Sequence, residues 1–266
     1  MEVLRSVSIM RCSIAVCLID AFTGLPPVHS AMSVTLEGQF AKPIRKPGGI
    51  FVFVNLPEGE YAVVIDSYFY MTNRIRVVSS GLAPESCVVY VQLIPAPGYP
   101  FPDRTTLLRA SVRDESTGQP LTGVTAEAMV TTPECARARL AEPKAKRGSR
   151  DLKLGNFLGR VSPGDRYLLK ERNSEQSELC EVVQASSGDD DFPLHDALQH
   201  EYRMGAILLP VVYSVSDANG ELVVAFRQGL TETFIILLQM VHQQKKYMKE
   251  VAIKEGILHN LGRILL

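Results

Sequence analysis

The chain lacks tryptophan, has only 7% aromatic residues, and contains neither an Asn-x-Ser/Thr acceptor nor a Cys-x-x-Cys pair in its 266 residues. Each absence removes a class of protein. Without tryptophan, a sugar-stacking platform has to be built on tyrosine. Without paired cysteines or a Cys/His cluster at zinc spacing, no metal site is expected. The five cysteines (Cys12, Cys17, Cys87, Cys135, Cys180) are odd in number and scattered, and are expected to be reduced and partly buried. No apolar run approaches bilayer length, so no membrane span is expected; the longest late one is Phe234-Ile-Ile-Leu-Leu. A formal net charge of −1 argues against a surface made for nucleic acid. There is no nucleophile elbow, no phosphate-binding loop ending in Lys-Ser/Thr and no dinucleotide fingerprint. The histidines His195 and His200, five apart, do not share a helical face as metalloprotease ligands do. The expectation is therefore no catalytic residue, no cofactor and no metal.

What is present is a pattern written twice. Asp20-Ala-Phe-Thr23-Gly24-Leu-Pro26 returns as Asp114-Glu-Ser-Thr117-Gly118-Gln-Pro120. Downstream, Phe51, Pro57 and Tyr61 have the spacing of Phe157, Pro163 and Tyr167. Repetition at this length predicts tandem copies of a small module. Within each, Asp bonds its own backbone, Gly takes a positive φ and Pro stiffens the exit, which places a turn between strands. The apolar run Ser13–Ile19 follows Arg5 and Arg11 and has some signal-peptide character. It precedes Asp20 as Leu107–Arg113 precedes Asp114, so it reads as a first strand, and synthesis in the cytoplasm without a signal peptide is expected.

Short apolar or alternating segments separated by Gly/Pro turns predict an all-β fold of tandem small antiparallel β-sandwiches of Ig-like or prealbumin-like type. The expected organisation is a first repeat over 1–95, a Pro-rich linker over 96–106, a second repeat over 107–212 and a partial third unit over 213–266. The linker run Pro95–Pro102 has four prolines in eight residues, which favours a stiff extended connection. The third unit lacks a first Asp-x-x-Thr-Gly-x-Pro hairpin, so it is expected to pack on the second repeat or on a partner. Residues 231–255 read as strands from their β-branched residues, with an amphipathic helix through Phe234, Leu237, Leu238, Val241, Met248 and Val251 as the rival.

These turns, together with Gly49-Ile-Phe51, Gly155-Asn-Phe157, the Pro-turn-Tyr segments and Asp217-Ala-Asn-Gly-Glu-Leu222, resemble the carboxypeptidase-regulatory-like modules, which are prealbumin-like (transthyretin-like) β-sandwiches. The resemblance implies a noncatalytic accessory module of the kind appended to peptidases, adhesins, transporters and particle components. The zinc peptidase domain for which those modules are named has no counterpart here.

Two charged insertions depart from the repeat. One carries Arg137, Arg139, Lys144, Lys146, Arg147, Arg150 and Lys153; the other is Asp189-Asp190-Asp191. Clustered cations attract anionic surfaces, and long loops often carry contacts. Arg137, Arg139, Lys144, Lys146, Arg147, Arg150 and the three aspartates are the candidate partner-binding residues, the basic segment of one copy meeting the acidic segment of a neighbour. The expected role is a noncatalytic structural or adaptor subunit of a larger protein assembly, with a phage-tail-like or contractile-injection particle as one setting. The alternative is an adhesin-like or carbohydrate-binding module using Tyr68, Phe69 and Tyr70.

Overall fold

The computed structural model describes residues 11–28, 32–79, 87–172, 174–183, 191–229 and 231–266. Among these the chain is β throughout, with one 3-10 turn at Pro133–Cys135 and no α-helix. Two compact units are present. The first draws on residues up to Ile19, Pro26–Ser67 and Thr72–Val91, the second on Asp20–Leu25, Tyr68–Met71 and Gln92–Leu266.

The first seven strands are β1 (Cys12–Asp20), β2 (Met32–Leu36), β3 (Ile44–Lys46), β4 (Ile50–Val54), β5 (Gly59–Ser67), β6 (Asn73–Ser79) and β7 (Val88–Leu93). They form two sheets, in the orders β3-β4-β1-β7 and β2-β5-β6. Side chains two apart share a face, and here one face is apolar: Ile14, Val16, Leu18, Phe51 and Phe53 in one sheet, Val34, Leu36, Val63 and Ile65 in the other, are buried. Antiparallel pairing sets Val16 opposite Phe51 and Ile14 opposite Phe53.

The remaining strands are β8 (Thr106–Arg113), β9 (Thr125–Val130), β10 (Ala138–Leu140), β11 (Lys144–Ala145), β12 (Asp151–Gly155), β13 (Arg166–Lys170), β14 (Ser177–Glu181), β15 (Asp191–Pro193), β16 (Tyr202–Arg203), β17 (Ile207–Val215), β18 (Glu221–Phe226), β19 (Thr233–His242), β20 (Lys245–Lys254) and β21 (Leu258–Leu265). Their pairing reproduces the first set with a gap. β8 lies between β18 and β21 as β1 lies between β4 and β7, and β9-β19-β20 repeats β2-β5-β6. Single bonds agree: Leu18 N donates to Gly49 O and Val112 N to Gly220 O, while Ala21 N donates to Leu93 O and Glu115 N to Leu266 O. The partner of Gly49-Ile-Phe51 is therefore Gly220-Glu-Leu222, not Gly155-Asn-Phe157. Phe157 is partly exposed against Phe192, whereas Phe51 is buried. Residues 213–266 supply β18 to β21, which complete the two sheets that β8 and β9 begin.

The intervening residues build a second core. Leu108, Val112, Ala126, Phe226, Phe234, Ile236 and Ile264 form one cluster. Ala138, Leu152, Leu154, Tyr167, Leu169, Phe192 and Tyr202 form another. Strand β17 serves both, pairing with β13 over Ile207–Val211 and with β9 over Val211–Val215. In β19, Phe234, Ile236, Leu238 and Met240 are buried at steps of two, so the apolar run is a strand with one inward face and the helical reading is excluded.

Candidate functional site

The Asp-led turns share their chemistry. Asp20 Oδ1 accepts from the N–H groups of Phe22 and Thr23 at 2.8 and 3.1 Å, and Asp114 Oδ1 from those of Ser116 and Thr117 at 3.0 and 2.8 Å. Asp217 Oδ1 likewise accepts from Asn219 N, two residues on, but its second donor is Glu221 N, four residues on. Their surroundings differ. The Ser116 hydroxyl and the Thr117 donors hold the half-buried Asp114 carboxyl below the usual carboxylate range. Asp20 is buried, and its Oδ2 accepts from Tyr70 Oη at 2.8 Å and Tyr99 Oη at 2.6 Å. Burial first, then Asp20, pushes both phenols well above their ordinary value.

The Pro-rich segment joins this cluster. Tyr99 packs on Phe101, Phe22 and Tyr70 at centroid separations of 4.6, 6.1 and 5.5 Å. Ala96 N donates to Phe69 O and Arg109 donates to Pro97 O. The stretch expected as an extended spacer is packed against its own unit, because its two rings bury against Phe22 and Tyr70. Of the aromatic trio proposed for sugar binding, Tyr70 is thereby withdrawn, while Tyr68 is 81% exposed and meets Phe69 edge-on at 5.2 Å.

A second buried polar cluster centres on Asp165 and Arg227. The guanidinium donates to both carboxylate oxygens at 2.7 and 2.8 Å and to the carbonyls of Ala21 and Phe22 at 2.9 and 3.0 Å. Asp165 also accepts from Gln92, Tyr167 and Ser162 N. Burial disfavours the Arg227 charge, but the Asp165 contacts outweigh it and raise its pKa. With five donors on one carboxylate, its lone pairs are committed to structure and offer no general base. Composition and motif spacing carry no signal for this pair; Asp165 lies inside a turn and Arg227 follows a strand.

The basic residues fall into three groups. Arg137 is 7% exposed and donates to the carbonyls of Leu158, Arg227, Gln228 and Gly229 at 2.9–3.3 Å. Its guanidinium is spent inside the unit and is unavailable to a partner, and burial lowers its pKa. Lys144 pairs with Glu201 at 2.6 Å and Lys153 with Asp191 at 3.8 Å, so the acidic and basic insertions meet within one copy across β12 and β15. Arg139 on β10 is half-buried, whereas Lys146, Arg147 and Arg150 are exposed. Asp189 and Asp190 lie outside the described residues, as does His29. His195 is exposed beside Asp196, and among the described residues no group of His, Cys, Asp and Glu is placed to hold a metal ion. No described helix is long and apolar enough to cross a membrane.

Strand β20 ends its sheet with Lys245, Lys246, Lys249 and Lys254, charges that discourage a further strand. Strands β7 and β21 also end their sheets, and carry exposed Val88 and Tyr90, and Leu258 and Leu265.

No family model and no curated protein matches the chain. Solved structures of the shaft pilin SpaA from Lactobacillus rhamnosus GG are similar at a low level. One mutant form is 10% identical, over 82% of this chain and 71% of that chain, with a TM-score of 0.24. Another is 8% identical, over 96% and 97%, with a TM-score of 0.25. At these scores the likeness carries no functional weight. The chain is an all-β protein of small, mainly antiparallel sheets, with β21 pairing β8 in parallel.

Proposed function

We propose that the chain is a noncatalytic structural subunit of a larger protein assembly, joined to its neighbours through an open sheet edge. The observation that carries this is the contrast between edges. β20 is guarded by four lysines, while β7, which ends its sheet among the described residues, presents Val88 and Tyr90, 39% and 44% exposed. An unguarded edge is a template for a strand from another subunit: backbone groups supply affinity and alternate side chains supply specificity. The exposed cations Lys146, Arg147 and Arg150 add a patch for an acidic protein surface. A phage-tail-like or contractile-injection setting rests on analogy, and synthesis in the cytoplasm on reading Ser13–Ile19 as a first strand rather than a signal peptide. Light scattering tests the central reading. The purified protein should elute above monomer mass or with a companion subunit, and Val88→Lys with Tyr90→Lys should return it to monomer. An inert monomer at every concentration, with no companion, sinks the reading.

A carbohydrate-binding role keeps one supporting observation, the exposed Tyr68 ring beside Phe69. It requires that Tyr68→Ala abolish retention on a glycan array and leave the assembly mass unchanged.

A further inference from the structure

None of the five cysteines is in a disulfide, and two of them lie side by side. Cys12, at the start of β1, and Cys87, just before β7, bring their sulfur atoms to 3.5 Å although they lie 75 residues apart in sequence. The strands they lead are neighbours in one sheet, and Ala15 N donates to Cys87 O at 2.8 Å. A register shift between Cys12 and Ile14 breaks the alternation of β1, a local change that re-aims a side chain. Cys12 is exposed and Cys87 half-buried, so a small oxidant reaches the pair from solvent. By contrast, Cys135 and Cys180 are buried, and burial pushes the Cys180 thiol up to about 12.

We infer that Cys12 and Cys87 form a redox-controlled disulfide that closes the first unit on itself. With oxidised glutathione as the oxidant, the Cys12 thiolate attacks one sulfur of the reagent. The reagent's S–S bond breaks, a mixed disulfide forms on Cys12, and the departing glutathione thiolate takes up the proton that Cys12 lost. The Cys87 thiolate then attacks the Cys12 sulfur, forming the protein disulfide and releasing the second glutathione, which takes the Cys87 proton. Two protein thiols are oxidised and one reagent disulfide is reduced to two thiols. Burial, then the hydrogen bond shared with Cys87, pushes the Cys12 thiol up to about 11, so thiolate is scarce at neutral pH and closure is slow. The bond encloses β1 to β6, and so restricts mainly the unfolded chain.

The test uses the full chain incubated with oxidised glutathione, then denatured and titrated for thiols. The count should fall from five to three and return to five with dithiothreitol. Cys17 shares a peptide with Cys12 after tryptic cleavage, so the Cys17→Ser variant separates them: it should still give a peptide cross-linked to Cys87, whereas Cys12→Ser should not. The first unit should melt on the order of 10 °C higher when oxidised, a gain absent from Cys87→Ser. An unchanged thiol count, a stable mixed disulfide as the sole product, or a cross-link that survives in Cys12→Ser would each overturn the inference.

Discussion

Asp20 and Asp114 begin the same turn and end in different surroundings, and that difference shows how single residues matter here. Asp165 and Arg227 are the sharpest case. A buried pair contributes little against an apolar replacement of both partners, but removing one partner leaves an uncompensated charge. Asp165→Ala should therefore cost about 3 kcal/mol in urea denaturation, and adding Arg227→Met should recover part of that loss. Equal losses that simply add would show that the two do not act as a pair. The phenols of Tyr70, Tyr99 and Tyr167 make a pH prediction. Their folded values lie above the ordinary one, chiefly through burial and then through Asp20 for the first two and Asp165 for the third. The folded state thus holds protons that the unfolded chain gives up. Their contribution to stability is full below about pH 10 and is lost as pH rises above it. Phenolate absorbance should show these rings ionising only together with loss of tertiary circular dichroism; their titration in the folded protein would contradict the burial argument.

Among the elements, the turns explain why glycine recurs and where it is indispensable. Gly118 has φ +69° with open space where a Cβ would stand. Gly220 has φ +72°, and a Cβ there would lie 2.4 Å from Val112 O, the strand it bonds. Gly118→Ala meets only the left-handed backbone, a cost of about 1 kcal/mol, whereas Gly220→Ala must also push β18 from β8. Thermal melts should rank Gly220→Ala as the more damaging by about 2 kcal/mol or more. Equal melting temperatures would mean that the close approach relaxes freely. The periodicity of single elements was open to inspection: Ser13–Ile19, Ile50–Val54 and Phe234–Leu238 all lie in strands. Their partners were not, since a strand's own pattern says which face is inward and nothing of which neighbour it meets. That is why Phe157 could stand in sequence register with Phe51 while Leu222 took its place in the sheet.

For the molecule as a whole, the second sandwich is assembled from segments separated by the strands β10 to β16. Val124, Ala126, Phe226, Phe234 and Ile264 bury into one core although the first and last are 140 residues apart (264 − 124). Such non-local pairing should make β8, β9, β18, β19 and β21 open as one unit. Native-state hydrogen exchange should give their slowest amides a common opening free energy, distinct from that of β12 and β13. A chain ended at residue 212 should lose that protection entirely, since β18 and β21 flank β8. Retained protection in the truncated chain would show that residues 107–212 fold without the C-terminal strands.

By itself the sequence determined the strand-rich class, the positions of the Asp-led turns and the absence of a recognisable catalytic motif. All three follow from local chemistry: alternation of apolar residues, a carboxylate bonding its own backbone, and glycine where φ is positive. Only the tertiary structure decided the rest. It spent Arg137 on four carbonyls, set Lys153 beside Asp191 in the same copy, and brought Cys12 to Cys87 across 75 residues of chain. Each of these is a meeting of segments remote in sequence. Such meetings are chosen by the packing of whole sheets, and nothing within a few residues of either partner encodes them.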